Sequence, residues 1–359
     1  MAMTDSLDWR LRQEEDIAAL RPGRWERLPQ LPDITDPPPE DYDADQRLLD
    51  AANTALYLGR PLLLTGEPGS GKTEFANHLA WRLGLERRYW DPVLARERAE
   101  HALRFDTKSD SRARDLFYTI DQVARFQKAQ STKGDVDPLL FIDFQAMGRA
   151  ILYAAPPDEL ATRLPAWQAH PGAPRRSVVL IDEIDKASRD FPNDLLMEIE
   201  RMRFFSPELN RTVQAEPRFR PIVVVTSNSE KTLPEAFLRR CVYYDIEFPH
   251  RERLANIVAA RITELPRGTT LVGDAIAVFC HLHRLPLRKR PGTAELLDFV
   301  RALLAMGLGP NDRLTVTVKK DWRPQAAQTL LKNASDQAQA AVKSLTWEAI
   351  RQSAEVVAD

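Results

Sequence analysis

The chain has 359 residues, of which 43% are hydrophobic and 28% are charged, and its formal net charge is −2. This length is enough for two or three domains of about 150 residues each, and the apolar content excludes a disordered chain. A nearly neutral charge argues against a protein that coats nucleic acid or an anionic membrane. Since 26 prolines outnumber 14 glycines, the clustering of Gly66, Gly69 and Gly71 is informative.

The cysteine content and the absence of long apolar runs bear on the compartment. Cys241 and Cys280 are too few for a disulfide framework, which favours a reducing environment. The first residues show no basic start followed by an apolar stretch. No apolar run approaches the ~20 residues that span a bilayer. We therefore expect a cytoplasmic protein without membrane insertion.

The first 45 residues differ in composition from the rest. They carry twelve acidic and five basic side chains, and six prolines lie between Pro22 and Pro39. Such a composition cannot bury enough apolar surface to build a core. It predicts an extended, acidic, proline-rich arm over residues 1–43.

Three short apolar runs punctuate the next two hundred residues. They lie at residues 61–65, 177–183 and 221–228, and helical spacing of apolar residues separates them. Buried strands that alternate with helices are typical of an α/β sheet with mainly parallel order. We expect this sheet domain over 44–250, a smaller helical domain over 251–308, and a mostly helical extension over 309–359. In the extension, residues 322–345 predict one amphipathic helix.

The segment GEPGSGKT follows the first apolar run and fits the pattern G-x-x-x-x-G-K-[ST]. Its glycines let successive backbone N–H groups face inward as an anion nest, and the helix that follows adds its positive end. Lys72 is expected to reach the β- and γ-phosphates of a nucleotide, and the Thr73 hydroxyl to hold Mg²⁺. The predicted nucleotide contacts are Gly66, Glu67, Pro68, Gly69, Ser70, Gly71, Lys72 and Thr73.

Two carboxylates end the second apolar run. Parallel sheets bind ligands at the carboxyl ends of their strands, where Asp182 is expected to coordinate Mg²⁺ through water, as the acidic partner of Thr73. Glu183 is then placed to polarise an attacking water as general base. The alternative is a strand that ends in an ordinary solvated acidic turn.

The third run ends in Ser227 and Asn228, and two arginines follow eleven residues later. An Asn in this place can hydrogen-bond a γ-phosphate or the attacking water, although Asn is also a common turn residue. Arg239 or Arg240 is a candidate arginine finger for the nucleotide of a neighbouring subunit. Surface arginines paired with acids are the alternative.

Taken in this order, the motifs resemble those of the AAA+ ATPases, over about residues 44–305. Within that group the chain is most similar to the MoxR branch, because a β-hairpin is expected before the Asn228 strand and LPEAFLRRC follows it. The resemblance implies a three-layer P-loop NTPase sheet domain with a C-terminal helical lid. It also implies a ring, commonly a hexamer, with ATP and Mg²⁺ between subunits.

The resemblance also assigns roles to particular residues. Asn228 is the sensor of the γ-phosphate, and Arg240 is the finger, with Arg239 as the neighbour that is easily confused with it. Arg290 is our candidate for the lid sensor, chosen from Arg288, Lys289 and Arg290. An equal alternative is that these three residues form a basic, solvated loop without a sensor.

The spacing between the two main motifs departs from a compact AAA+ core. Lys72 and Asp182 are 110 positions apart, which predicts an insertion around residues 108–170. Its apolar spacing indicates helices that form either a partner surface or additional core packing. Asp106 or Thr107, after a strand expected at 103–105, is a candidate to link ligand state to Glu183.

The function that this reading favours is ATP hydrolysis coupled to chaperone-like remodelling or assembly of partner proteins. The MoxR resemblance points to partners with von Willebrand factor A domains and to multi-component bacterial conflict systems. The alternative is an assembly switch, in which ATP organises an oligomer and slow hydrolysis serves as a timer. A DNA motor is disfavoured because no helix carries a strong basic stripe.

Overall fold

The computed structural model describes residues 38–91, 96–131, 136–165, 168–229, 231–314, 321–337 and 346–350. Most of the predicted acidic arm therefore lies outside the described residues, as does the end of the predicted extension. The account below concerns the described part of the chain from residue 39 onward.

The elements follow one another as the alternation of sequence patterns requires. The strands are β1 (Leu62–Gly66), β2 (Arg87–Asp91), β3 (Arg96–Glu100), β4 (Ala102–Asp106), β5 (Tyr118–Ile120), β6 (Ile142–Phe144), β7 (Val178–Asp182), β8 (Arg203–Ser206), β9 (Arg211–Gln214), β10 (Ile222–Thr226) and β11 (Val242–Ile246). The helices are α1 (Gln46–Leu58), α2 (Lys72–Arg82), α3 (Gln122–Ser131), α4 (Ala146–Ala154), α5 (Glu159–Thr162), α6 (Phe191–Asp194), α7 (Leu196–Arg201), α8 (Glu235–Leu238), α9 (Arg251–Arg261), α10 (Thr270–Arg284), α11 (Thr293–Ala305), α12 (Arg323–Leu330) and α13 (Ala334–Asp336).

Five strands form the central sheet in the order β11-β1-β10-β7-β4. Every neighbouring pair is parallel, so all five carboxyl ends lie along one edge. The predicted α/β parallel sheet is confirmed, and its three predicted apolar runs form the three central strands. In such folds the loops that follow the strands all lie at this edge, so motifs that are far apart in the sequence meet there.

Alternate side chains of the central strands enter two different hydrophobic clusters. Leu62, Leu64 and Leu180 pack with apolar residues of α1 and α2. Leu63 and Ile181 pack instead with α4 and with α6. Because successive strand residues point to opposite faces, this alternation places helices on both faces of the sheet. The result is the three-layer arrangement that the sequence predicts.

The two edge strands are less apparent in the sequence than the central ones. Strand β4 was expected at 103–105, whereas β11 was not predicted. Side chains of β11 are alternately more and less exposed, and only Ile246 is fully buried. An edge strand with one neighbour lacks the continuous apolar run that marks a central strand, which explains the omission.

The region between β4 and α4 is partly different from the predicted helical insertion. A short 3₁₀ turn at Ala113–Leu116 leads into β5, which pairs antiparallel with β6. Helix α3 lies between these two strands in the sequence and has no buried residue. Helix α4, in contrast, is buried over most of its length in the main core. Helix α4 therefore contributes the additional core packing that one alternative expects, whereas the partner surface stays a prediction.

Helix α4 approaches the preceding segment so closely that only glycine fits at position 148. A Cβ atom on Gly148 would lie 1.9 Å from the carbonyl oxygen of Phe117. We expect Gly148→Ala to lower the free energy of unfolding by about 3 kcal/mol, because neither backbone can move without disturbing the core. Denaturant unfolding measures this change.

Gly273→Ala in α10 is the matched control, since nothing lies within 4 Å of the added methyl group. There we expect a gain of about 0.5–1 kcal/mol from helix propensity and unfolded-state entropy. If Gly148→Ala unfolds at the same denaturant concentration as the wild type, the described contact between α4 and Phe117 is wrong.

Helices α9 to α12 build a separate hydrophobic cluster after the sheet. Leu254, Phe279, Phe299 and Leu330 are completely buried in it. The predicted single helix over 322–345 is wrong in its described part, because α12 ends at Leu330 and Leu331 is extended. Asn333 then caps a new short helix by accepting from the Ser335 backbone N–H at 2.9 Å. Residues 338–345 lie outside the described part.

Within the described residues, none of the helices is both long and apolar enough to cross a membrane.

Candidate functional site

The glycine-rich loop connects β1 to α2 at the carboxyl edge of the sheet. Gly66, Gly69 and Gly71 have φ values of 139°, 79° and 89°, a region that other residues rarely adopt. A Cβ on Gly66 would also lie 2.6 Å from the Ile246 carbonyl oxygen. The strand-loop-helix context predicted for this motif is therefore present, and its glycines are sterically required.

Lys72 begins α2 and is only 6% exposed. Its Nζ donates to the carbonyl oxygens of Gly66 at 2.8 Å and Glu67 at 2.9 Å. Burial lowers the pKa of Lys72, and the nearby carboxylates of Asp182 and Asp185 oppose that shift. A cation is thus held at the loop, where phosphate oxygens would offer it stronger acceptors than two carbonyl groups do.

Thr73 and Asp182 meet directly, although they are far apart in the sequence. The Thr73 hydroxyl lies 3.0 Å and 3.2 Å from the two carboxylate oxygens of Asp182. A hydroxyl and a carboxylate are hard oxygen ligands that suit Mg²⁺, which completes its shell with phosphates and water. The described residues contain no cluster of three or more His, Cys, Asp or Glu side chains able to hold a metal alone. The donor set present therefore fits a nucleotide-bound Mg²⁺.

Thr226, at the end of β10, connects the Asp182 carboxylate to the Glu183 backbone and was not singled out by the sequence. Its hydroxyl donates to Asp182 Oδ1 at 2.6 Å and accepts from the Glu183 backbone N–H at 2.8 Å. The side chain is completely buried. A polar residue at the end of an otherwise apolar strand is the only sequence signal for this role, and the same signal directed attention to Asn228 instead.

Glu183 and Asn228 lie side by side. The Asn228 side-chain amide donates to Glu183 Oε1 at 2.9 Å, and Glu183 Oε2 forms an ion pair with Lys186. Glu183 has a φ of 53°, a left-handed conformation that costs a non-glycine residue roughly 1–2 kcal/mol. Such strain concentrates at functional sites. Neither Asp106 nor Thr107 makes a described contact with Glu183; the Thr107 N–H instead donates to the Asp182 carbonyl oxygen at 3.1 Å.

The N-terminus of α11 packs directly on the glycine-rich loop. A Cβ on Gly292 would lie 2.7 Å from the Pro68 carbonyl oxygen, so the backbones are in contact. Arg290 forms an ion pair with Glu67 at 3.3 Å, and His283 approaches the same carboxylate at 3.1 Å. The helical region therefore contributes a cation beside the loop.

The other two candidates for the lid cation are oriented differently. The backbone N–H groups of Arg288 and Lys289 donate to the Asp336 carboxylate at 3.2 and 3.3 Å. Only Arg290 of the three has a described contact with the loop. His283, which stacks on Phe248 with ring centroids 4.0 Å apart, was not anticipated from the sequence.

Arg239 and Arg240 lie at the opposite edge of the sheet. They precede β11, whose first N–H, that of Val242, donates to the Pro61 carbonyl oxygen just before β1. Since β1 has five residues at about 3.3 Å each, its length separates these arginines from the loop. Arg239 pairs with Glu235 at 3.3 Å. Arg240 donates to the Ala236 carbonyl oxygen at 3.1 Å and pairs with Glu200 at 3.8 Å. Because β1 separates both arginines from the loop, neither belongs to the site of its own chain.

Comparison with known proteins agrees with this geometry. A family model described as "AAA domain (dynein-related subfamily)" matches residues 61–241, half of the chain. The chain belongs to this family. The matched AAA domain includes the glycine-rich loop, both carboxylates, Asn228 and the two arginines, whereas Arg290 lies beyond it. The fold is that of an AAA P-loop NTPase, as predicted.

Solved structures with similar folds are distant in sequence. The chain is similar to NtrX from Brucella abortus, with 15% identity and a TM-score of 0.45, over 88% of this chain and 61% of that one. It thus spans less than two thirds of the NtrX chain. It is also similar to a RuvB variant from Thermotoga maritima, with 14% identity and a TM-score of 0.41, over 79% of this chain and 67% of that one. No curated protein matches the chain.

Proposed function

We propose that this AAA protein hydrolyses ATP with Mg²⁺ and uses the cycle for chaperone-like remodelling or assembly of partner proteins. The observation that supports this best is the hydrogen-bonded cluster at the carboxyl edge of the sheet. It joins Thr73 to Asp182 and Glu183 to Asn228, with Lys72 in the adjoining loop. These are the groups that phosphoryl transfer to water requires.

Each residue has a role in that chemistry. The loop N–H groups and Lys72 bind the phosphates of ATP. Thr73 and Asp182 would hold an Mg²⁺ ion, which would supply positive charge to the phosphates. Glu183 accepts a proton from water as the water oxygen attacks the γ-phosphorus. The bond between the γ-phosphorus and the bridging oxygen breaks, and ADP and phosphate leave. Asn228 orients Glu183 and senses the γ-phosphate. Arg290 contacts the γ-phosphate from the lid.

The placement of Arg240 supports a ring. A residue at the amino edge of the sheet cannot complete its own site, but it can complete that of a second copy bound head to tail. Such heterologous contacts close into rings when the rotation permits. We propose a homo-oligomeric ring, a hexamer as in related ATPases, with Arg240 as the finger and Arg239 beside it.

The division into domains that we propose follows the hydrophobic clusters. The two clusters on either side of the sheet support a nucleotide-binding domain over 44–250, with its insertion around 108–170. The separate cluster of α9 to α12 supports a lid over 251–308 and an extension over 309–359, whose described residues contribute to that cluster. We propose membership of the MoxR branch, cytoplasmic location, and partners that include von Willebrand factor A domain proteins, in a bacterial conflict system.

One observation favours the alternative of a nucleotide-dependent assembly switch. Both carboxylate oxygens of Glu183 are engaged, one by Asn228 and the other by Lys186. These two donors restrict how the Glu183 carboxylate can turn towards an attacking water, which favours slow basal hydrolysis. Continuous turnover that a partner stimulates would distinguish remodelling from the switch.

The nucleotide site is tested by Lys72→Ala. We expect the Kd for ATP, measured by fluorescence with a mant-labelled nucleotide, to rise about 100-fold because the phosphates lose a charged donor. Lys231→Ala is the matched control, since Lys231 also donates to two backbone carbonyl groups, at 3.0 and 2.9 Å, but is exposed outside the loop. If Lys72→Ala binds ATP within twofold of the wild type, the assignment of the loop fails.

A further inference from the structure

A basic side chain from the edge strand β4 reaches the buried carboxylate of Asp182. The parallel register places Arg104 opposite Leu180 and Asp106 opposite Asp182. Because residues two apart share a face of a strand, Arg104 extends along that face towards Asp182. Its guanidinium NH2 lies 2.9 Å from Asp182 Oδ2, and its Nε lies 2.7 Å from Asp106 Oδ1. Arg104 therefore bridges a buried and an exposed carboxylate.

The surroundings of Asp182 explain why a cation is needed there. Its side chain is 6% exposed, and a buried carboxylate without a counter-charge is costly. Thr226 and Thr73 supply neutral hydroxyl groups to it. Lys72 lies near, but its Nζ is bonded to carbonyl oxygens of the loop. The charge in direct contact with Asp182 Oδ2 is that of Arg104.

We propose that Arg104 is a displaceable counter-ion of the magnesium-binding carboxylate. Its ion pair with Asp182 is given up when Mg²⁺ arrives with ATP; this inference rests on the proposed function. Two cations that compete for one carboxylate repel each other, so the exchange is favoured once the metal is held by phosphates. Arg104 is 47% exposed and keeps Asp106 as a partner, which gives the released guanidinium a solvated position close by.

Arg104 is thus a positioning residue that sets how strongly nucleotide binding depends on Mg²⁺. Without the metal, Arg104 shields ATP from the negative charge of Asp182. With the metal, Arg104 must be moved aside. Removal of its charge should weaken metal-free binding and favour metal-dependent binding, so both effects increase the ratio of the two dissociation constants.

The test measures binding of the mant-labelled β,γ-imido analogue of ATP, which is not hydrolysed. Dissociation constants are obtained by fluorescence anisotropy in excess Mg²⁺ and in EDTA, for the full chain. We expect the ratio of the Kd in EDTA to the Kd in Mg²⁺ to be about tenfold larger for Arg104→Met than for the wild type. Damage to the fold alone would raise both constants and leave their ratio unchanged.

Two further variants complete the experiment. Arg104→Lys keeps the charge and is expected to keep the ratio within about threefold of the wild type. Arg323→Met is the matched control, because Arg323 makes a similar exposed contact with Asp321, at 3.1 Å, in α12; its ratio should not change. An unchanged ratio for Arg104→Met overturns the inference and leaves the proposed function intact. A wild type that binds the analogue in neither buffer contradicts both.

Discussion

Replacement of Glu183 by Gln is expected to lower the steady-state ATPase rate about a thousandfold while ATP binding stays unchanged. The amide has nearly the shape of the carboxylate but cannot accept a proton from water. The glutamine side chain at position 183 can still accept a hydrogen bond from the Asn228 amide, because one amide can accept from another. Binding relies on the loop and on Asp182, which the substitution leaves in place.

The same variant tests whether ATP holds the subunits together when oligomer size is measured with it. If ATP bridges subunits, Glu183→Gln should retain ATP and remain in its largest assembly, whereas the wild type reverts as ATP is consumed. Glu97→Gln, an exposed glutamate of β3, serves as a control with wild-type behaviour. A wild type that hydrolyses no ATP, alone or with partners, would exclude the remodelling function and leave the assembly switch.

Arg240→Ala is expected to lower the ATPase rate about a thousandfold with little change in ATP affinity, as for other arginine fingers. The physical reason is the placement of Arg240 at the amino edge of the sheet, from which it acts on the nucleotide of a neighbour. Arg239→Ala is the matched control. Arg239 pairs with Glu235, four residues earlier, in an exposed ion pair that contributes little, so we expect a change below about twofold.

A mixing experiment tests action in trans directly. Glu183→Gln subunits retain Arg240, and Arg240→Ala subunits retain Glu183, so a mixed interface contains both groups. A random equal mixture of two inactive variants should regain about one quarter of wild-type activity, because one interface in four has the productive order. If the mixture stays inactive while it still assembles, or if Arg239→Ala is the inactive variant, the assignment of Arg240 as the finger is wrong.

Much of the site could be predicted because its chemistry is encoded locally. The loop from Gly66 to Thr73 has a fixed spacing, and its backbone conformation depends on glycines within the motif. The pair Asp182–Glu183 follows an apolar run that defines its own strand. Because parallel strands end along one edge, it was also possible to expect that these two segments meet, although 110 positions separate Lys72 from Asp182.

The remaining residues of the site depend on register and on neighbours that lie far away in sequence. Thr226 and Arg104 contact Asp182 only because β10 and β4 flank β7 in a particular register. His283 reaches Glu67 only because helices of a separate cluster pack on the loop. Neither strand order nor helix packing leaves a periodic pattern in a single sequence, so the sequence did not single out these contacts.

The sequence by itself determined the fold class, the phosphate-binding loop and the two carboxylates, because short-range geometry and burial dictate each of them. It also indicated both arginines, Arg239 and Arg240, but not their position relative to the loop of their own chain. The tertiary structure decided that they lie at the edge of the sheet opposite the loop, and that Arg290 alone of three basic residues contacts the loop. It also placed Arg104 on Asp182. The physical reason is that charges separated in the chain interact through space, and only the order and register of the strands set those distances.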